Sequence, residues 1–271
     1  MTTTSDHPIS AKRPRAHEQV IHVLLQRIIR GELPVGSKLA TERAMAAKFQ
    51  VNRATVREAL RYLEHLDLVA IRQGDGAYVR NFLHSRNPET AKALMYVDAA
   101  MRHEILSAIL EVRRINSPEV AHAAALKRSP DHLAQLREVA LDRRDLSILE
   151  RDKRVHHLIG LASGNIVQIL MTNFYENFFY EFGHLYFENS ANIARSEAFH
   201  QAIYHAIREQ NAGVARDIMR DVLQYAEHAI FLGSTNKHYF WCPISHRPQL
   251  VFFPRAARFP EILHARHTAA H

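Results

Sequence analysis

The sequence predicts a mainly α protein, with three helices and a β-hairpin near the N-terminus followed by an all-α helical bundle. Two observations carry that expectation. Residues 34–80 hold two short helix patterns, a tight turn between them and a Gly-rich hairpin signal, and from about residue 89 to 231 helical segments follow one another with almost no strand alternation.

Residues 1–15 read as a flexible basic arm carrying Lys12, Arg13 and Arg15, and residues 16–30 as an amphipathic helix. Thr41 is an acceptable N-cap for a helix whose Met45, Ala46 and Phe49 pack inward. After a turn at Gln50 and Val51, Asn52 caps the next helix, because its side-chain oxygen reaches a free backbone N–H one turn on. Val56, Ala59, Leu60 and Leu63 recur on one face of that helix; Arg57 and Arg61 lie opposite, Arg53 sits at the border, and Thr55 adds a hydroxyl in the first turn. Leu68, Val69 and Ile71 then lead through Gln73-Gly74-Asp75-Gly76 to Tyr78 and Val79, which reads as two strands and a turn, a wing. The sum is a winged helix-turn-helix over residues 16–80, the order of parts that docks on duplex DNA. An arginine row alone is also an ordinary solvated face. The glycines beside Asp75 lack the preceding strand and following helix of a nucleotide loop.

A linker, 81–89, leads to the bundle, 90–232, with helices expected at 90–115, 118–127, 130–144, 147–163, 166–189, 193–210 and 212–231. Ser117-Pro118, Ser129-Pro130, Ser163-Gly164-Asn165 and Asn211 to Gly213 supply the breaks. Residues 233–271 hold four of the ten prolines and no helical period, so they read as an irregular tail. There is no internal repeat. His238, Cys242 and His246 are spaced by four, but Pro243 interrupts the helix that would align them.

Composition bounds the class. The chain has 271 residues, 47% of them hydrophobic, enough for a sizeable core and two domains. Its net charge of +7 is unevenly placed: +5 over residues 1–80, −2 over 81–232 and +4 over 233–271. The basic excess of the first segment suits phosphates, whose neutralisation releases counterions and makes affinity salt-dependent. No apolar run approaches a membrane span, and the first residues lack the apolar core of a secretory signal, so a cytoplasmic location with no membrane partner is expected. The single cysteine, Cys242, cannot form an internal disulfide.

These residues resemble the GntR family of bacterial transcription regulators. The family's winged helix-turn-helix reads like a Pro-Gly turn, Leu-Pro-Ser-Glu-Arg, Val-Ser-Arg and Val-Arg-Glu-Ala-Leu. The corresponding places hold Val35-Gly36, Leu39-Ala40-Thr41-Glu42-Arg43, Val51-Asn52-Arg53 and Val56-Arg57-Glu58-Ala59-Leu60. The resemblance implies operator contacts at Arg43, Asn52, Arg53, Thr55 and Arg57, and a wing tip at Gln73-Gly74 that enters the minor groove. Ala40 and Asn52 depart from the usual Pro and Ser; Asn caps as well as Ser but alters the chemistry offered to a base.

The helical half is similar to the FCD effector-binding domain of the FadR subgroup, a bundle around a small-molecule pocket. Its markers are Glu111-Val112-Arg113, Asp152 with Val155-His156, Ser163-Gly164-Asn165, and His200 followed by Ala206-Ile207, Ala215 and Met219. Asp152 and His156, four apart, share a helix face, as a divalent metal site requires. His200 can approach from another helix. The resemblance implies one Asp and three His in metal-binding members, and the last His position falls on Val222, which cannot ligate. Asp152, His156 and His200 are therefore candidates for zinc or nickel with an incomplete shell, and equally for an ordinary hydrogen-bonded cluster. Arg113, pointing inward, suits either an anionic effector or a structural ion pair. The aromatic run Phe174, Tyr175, Phe178, Phe179, Tyr180, Phe182, Tyr186 and Phe187 covers more than one helix face and reads mostly as core.

The expected function is a homodimeric, ligand-responsive transcription regulator. It is not an enzyme. As a repressor it binds a palindromic operator in double-stranded DNA, and a small organic or fatty acid, a carboxylate, held by Arg113, Asp152, His156 and His200 modulates it. Two other readings stay open at this point: a metalloenzyme using Asp152, His156 and His200, which gives the winged domain no role, and an architectural DNA-binding protein without a ligand.

Overall fold

The computed structural model describes residues 15–232, 238–241 and 248–251; Lys12, Arg13, Cys242 and His246 lie outside the described residues. Contacts group residues up to Leu106 in one compact unit and residues from Ser107 through the last helix in another.

In the first unit α1 (Ala16–Ile29), α2 (Glu42–Phe49) and α3 (Arg53–His65) precede the antiparallel strands β1 (Val69–Arg72) and β2 (Gly76–Val79). The expected caps form: Thr41 Oγ1 accepts the Ala44 N–H at 3.2 Å, and Asn52 Oδ1 accepts the Thr55 N–H at 2.8 Å. Gln50 takes the left-handed conformation, φ 54°, which stops α2 within one residue and lets α3 start in a new direction. Val56, Ala59, Leu60 and Leu63 of α3 are buried against Leu24, Leu25 and Ile28 of α1 and Met45 of α2, as the spacing predicts. Each large aliphatic side chain so buried is worth roughly 1.5–3 kcal/mol against exposure, which anchors the rod that carries the arginines.

The wing has a third partner that periodicity does not reveal. Leu39 donates to the Ala77 carbonyl at 2.8 Å, Gly36 to that of Val79 at 2.8 Å, and the Val79 N–H returns to Ser37 at 3.0 Å. The stretch 36–39 is thereby laid along β2.

Three expectations need correction. Residues 90–97 do not belong to the bundle core: α4 (Glu89–Leu94) and the turn after it place Ala93, Leu94 and Val97 in the core of α1 and α3. The turn exists because Asp98 Oδ1 accepts the Met101 N–H at 2.9 Å and starts a new helix, α5 (Ala99–Lys127). That helix runs through Pro118, where a break was expected. Proline removes one hydrogen bond, but Val120, Ala121, Ala124 and Ala125 just beyond it are buried, and tertiary packing outweighs the local penalty. Finally, the expected irregular tail contains β3 (His238–Trp241) and β4 (Pro248–Val251), an antiparallel pair. Pro248 stands at the first residue of its strand, a position that proline tolerates.

The second unit continues with α6 (Pro130–Arg137), a π-turn at Glu138–Asp142, α7 (Ile148–Ala162), α8 (Ile166–Tyr186), α9 (Ser190–Arg208) and α10 (Ala212–Leu232). Val155, Leu158 and Ile159 of α7 meet Phe199, Ile203 and Ile207 of α9 and Met219, Val222 and Leu223 of α10 in one core. From the aromatic run Tyr175, Phe178, Tyr186 and Phe187 are buried. Among the described residues no helix is long and apolar enough to cross a membrane.

Candidate functional site

Two places concentrate the candidate side chains, and the first is the outer face of α3. Arg53, Arg57 and Arg61 are exposed at i, i+4 and i+8, opposite the buried stripe, and Arg43, Asn52, Gln73 and Gly74 are exposed as well. Thr55 is half-buried, its hydroxyl donating to Asn52 Oδ1 at 3.0 Å, so cap and hydroxyl hold each other. Sequence reasoning missed Glu42. Its carboxylate receives Arg57 Nε at 3.2 Å and Nη2 at 2.9 Å, a two-pronged pair joining α2 to α3. The hydrogen bond from Arg57 holds the Glu42 carboxyl below its ordinary value, with the charges of Arg57, Arg53 and Arg61 acting in the same direction. Three arginines thus gather around one acid.

The wing is braced likewise. Lys38 Nζ approaches Asp75 Oδ1 at 2.6 Å and Tyr78 Oη donates to Asp75 Oδ2 at 2.7 Å, while the Arg72 guanidinium lies 4.3 Å from the Tyr78 ring centre. Gly74 and Gly76 take φ +76° and +134°, and a Cβ on Gly76 would meet Lys38 Cε at 3.0 Å. The positive φ at Gly76 favours glycine, and its bare Cα leaves Lys38 room to reach the acid without shifting.

The second place is a narrow cavity in the bundle, open to solvent. Arg113, Asp152, His156 and Glu176 line it, with Val120, Ile159, Phe179 and Met219 among its apolar walls. His200 stands behind Asp152 and is fully buried. Asp152 Oδ1 accepts Ser196 Oγ at 2.6 Å and lies 3.1 Å from His200 Nε2, and Oδ2 lies 3.7 Å from His156 Nε2. Burial alone would raise the Asp152 carboxyl, but the His200 hydrogen bond, the two imidazoles and Ser196 leave it well below the carboxylate range. Burial, then the nearby Arg113 charge, pushes His156 down to about 3, so its ring is neutral at physiological pH. Arg113 is 7% exposed, its guanidinium 4.8 Å from the Phe179 ring centre, and it has no ion-pair partner among the described residues. Ser196 was missed as well; it stands four residues before His200, and that spacing was the available signal.

The donor set does not fit a divalent metal. The three candidate side chains converge, yet Asp152 Oδ1 is already shared by Ser196 and His200, and the fourth place is Val222, 8% exposed and apolar. His200 Nδ1 is buried without a hydrogen-bond partner, whereas a metal-bound imidazole almost always donates its other N–H. Among the described residues no group of three or more His, Cys, Asp or Glu has the geometry to hold an ion.

Comparison with known proteins places the chain. A model of bacterial regulatory proteins, gntR family, matches residues 16–79, and an FCD domain model matches residues 108–225. The HTH-type transcriptional regulator LutR of Bacillus subtilis (strain 168) is 30% identical over 200 residues, 70% of this chain and 89% of LutR. The chain belongs to the GntR family. The HTH-type transcriptional regulator Mce2R of Mycobacterium tuberculosis (strain CDC 1551 / Oshkosh) is 32% identical over 161 residues, 58% of this chain and 67% of that protein. A protein named fatty acid metabolism regulator, from Shewanella sp. (strain MR-7), is 26% identical over 186 residues, 67% of this chain and 75% of its own. This GntR-family protein is a transcription regulator and not an enzyme. Its arginine face and wing lie within the gntR-matched residues, and its cavity within the FCD-matched ones.

Proposed function

We propose that this regulator binds a palindromic operator as a homodimer and that a small carboxylate in the bundle cavity relieves repression. One observation supports the DNA contacts above others: α3 buries one face completely and presents Arg53, Arg57 and Arg61 on the other. A rod with that division enters the major groove with its arginines toward base edges, while Gln73 and Gly74 follow the minor groove and Arg43 supports α3. One such helix reads only a few base pairs, so a two-fold pair reads two half-sites. Asn52, in the place of the family's usual serine, offers an amide near the first bases read.

Arg113 supports the effector half of the proposal. A largely buried guanidinium on which Asp152 and Glu176 act only through space, without a hydrogen bond, keeps its two-pronged face free for an anion, and a carboxylate matches that geometry. Asp152 and His156 form the wall beside Arg113, and His200 braces Asp152 from behind. No step runs through a metal ion. To act, the acid must bind the DNA-competent and DNA-free states unequally.

The test is a mobility-shift titration on DNA fragments selected by the purified protein, at several salt concentrations, with and without short carboxylic acids. Specific, salt-sensitive binding weakened by an acid is expected. Specific binding that no acid changes would remove the effector half, and binding without sequence preference would remove the operator half.

A further inference from the structure

Lys38, Arg72, Asp75 and Tyr78 gather on the outer face of the wing, and the two cations among them are used differently. In the β1/β2 register Arg72 pairs with Gly76 and Ala70 with Tyr78, so the Arg72 and Tyr78 side chains lie diagonally on one face, opposite buried Ala77 and Val79. Lys38 joins them through a backbone bridge to Tyr78, and its ammonium is committed to Asp75 Oδ1 at 2.6 Å. The second oxygen of that carboxylate accepts the Tyr78 hydroxyl at 2.7 Å. Arg72 differs. Its guanidinium is exposed, lies 4.3 Å from the Tyr78 ring centre and makes no side-chain hydrogen bond among the described residues. A ring shelf orients the guanidinium plane and leaves the N–H groups at its edge unspent. The shelf is itself held, because Asp75 ties the Tyr78 hydroxyl on one side and Lys38 on the other. Gln73 and Gly74, the latter with φ +76°, follow directly, so the oriented cation stands at the base of the hairpin tip.

We propose that Arg72 is a specificity-determining residue of the wing, which enters the minor groove beside Gln73 and Gly74 and selects narrow, A·T-rich steps next to each half-site, with Tyr78 and Asp75 as positioning residues. This rests on the operator reading, in which the hairpin tip follows the minor groove. A narrow A·T-rich groove carries an enhanced negative potential, and a guanidinium, more weakly hydrated than an ammonium, gives up less water on entering it. The guanine 2-amino group is the one base feature that distinguishes G·C from A·T in that groove, and it stands in the way of the guanidinium. Asp75 alone would be repelled by the same potential. Lys38 offsets its charge, so the pair adds rigidity to the tip without adding net charge, and Arg72 is the one Lys or Arg between Val69 and Val79.

The test uses a DNA site selected by the purified full-length protein and anisotropy titrations in which inosine·C replaces G·C, and 2,6-diaminopurine·T replaces A·T, pair by pair. The first change removes the minor-groove amino group and the second adds it, and neither alters the major-groove edge. In the wild type, diaminopurine at one or two positions of each half-site should weaken binding about fivefold or more. That ratio should fall to about one in Arg72→Ala and in Tyr78→Leu, which keeps the arginine and removes its shelf, with circular dichroism confirming the fold and major-groove base changes still discriminated. Arg72→Lys, which keeps the charge, should recover little of the ratio. Asp75→Asn releases Lys38 to a phosphate, so log affinity against log salt should steepen by about one. Wild-type insensitivity at every position, with specific binding intact, overturns the inference and leaves the operator reading standing. A ratio undiminished in Arg72→Ala overturns it too, and a salt slope unchanged in Asp75→Asn overturns the role given to Asp75. Binding without any sequence preference removes the operator reading and this inference with it.

Discussion

Arg57 and Arg113 both sit on helices with acids nearby, and they are set up for opposite tasks. The Arg57 side chain is 55% exposed and pairs with Glu42 in water, where an ion pair is worth little, so on the proposed reading DNA exchanges for it at low cost. Arg113 is dehydrated, stacked on Phe179 and unpaired, so the groups that can complete it are few and the gain is large. On the proposed reading the surface unit takes a long, charged, hydrated partner, and the bundle a small one that leaves water behind.

That contrast can be broken at several points. The largest effect is expected from Arg113→Gln. Loss of two charge-assisted hydrogen bonds in a dry site should weaken carboxylate binding by on the order of a hundredfold, measured by calorimetry, with operator affinity unchanged. Weakened DNA binding instead would show that Arg113 serves the fold. Arg57→Ala comes next: operator binding should lose roughly 1–3 kcal/mol and discriminate less between bases, read from titrations on matched and mismatched fragments. An unchanged isotherm would mean that the Glu42 pair is only structural.

Val222→His restores the nitrogen that the metal-binding pattern lacks, and zinc affinity, measured against a chelator, should rise on the order of tenfold if the cluster can rearrange around an ion. No gain would show that Ser196 and His200 hold Asp152 too firmly. The pH dependence is smaller. His156 has a folded value depressed to about 3 from 6.5, so its contribution to stability is complete above about pH 6.5 and declines as pH falls toward 3. Wild type should lose more thermal stability between about pH 7 and about pH 5 than His156→Asn does, by scanning calorimetry. The smallest change belongs to Glu42→Gln. Removing one negative charge from the arginine face should strengthen binding to unrelated DNA about two- to threefold and narrow the gap to operator DNA.

Much of the winged unit was legible because its signals are local. Thr41 and Asn52 cap within three residues of themselves, and the buried stripe of α3 is a simple helical period. What was not legible there depends on chain segments meeting: the Glu42–Arg57 pair spans 15 residues and the Lys38–Asp75 pair 37. In the bundle Asp152 and His156 were visible as one turn of one helix. Their partner Ser196 is 44 residues from Asp152, and Glu176 was hidden in a run of aromatics that reads as core. Pro118 misled for the complementary reason, since its local penalty is real and burial of the residues beyond it is larger.

Residue order alone was sufficient for the class of the chain, its two functional halves, the face that carries the arginines and the short list of polar residues in the bundle, because caps, periods and turn chemistry act over a few residues. Three-dimensional packing decided which of those polar groups are satisfied. Asp152 was given partners from a distant helix, while Arg113 was left without a hydrogen-bonded acid among the described residues, and no spacing rule records that, since desolvation depends on everything that surrounds a side chain rather than on its neighbours in the chain.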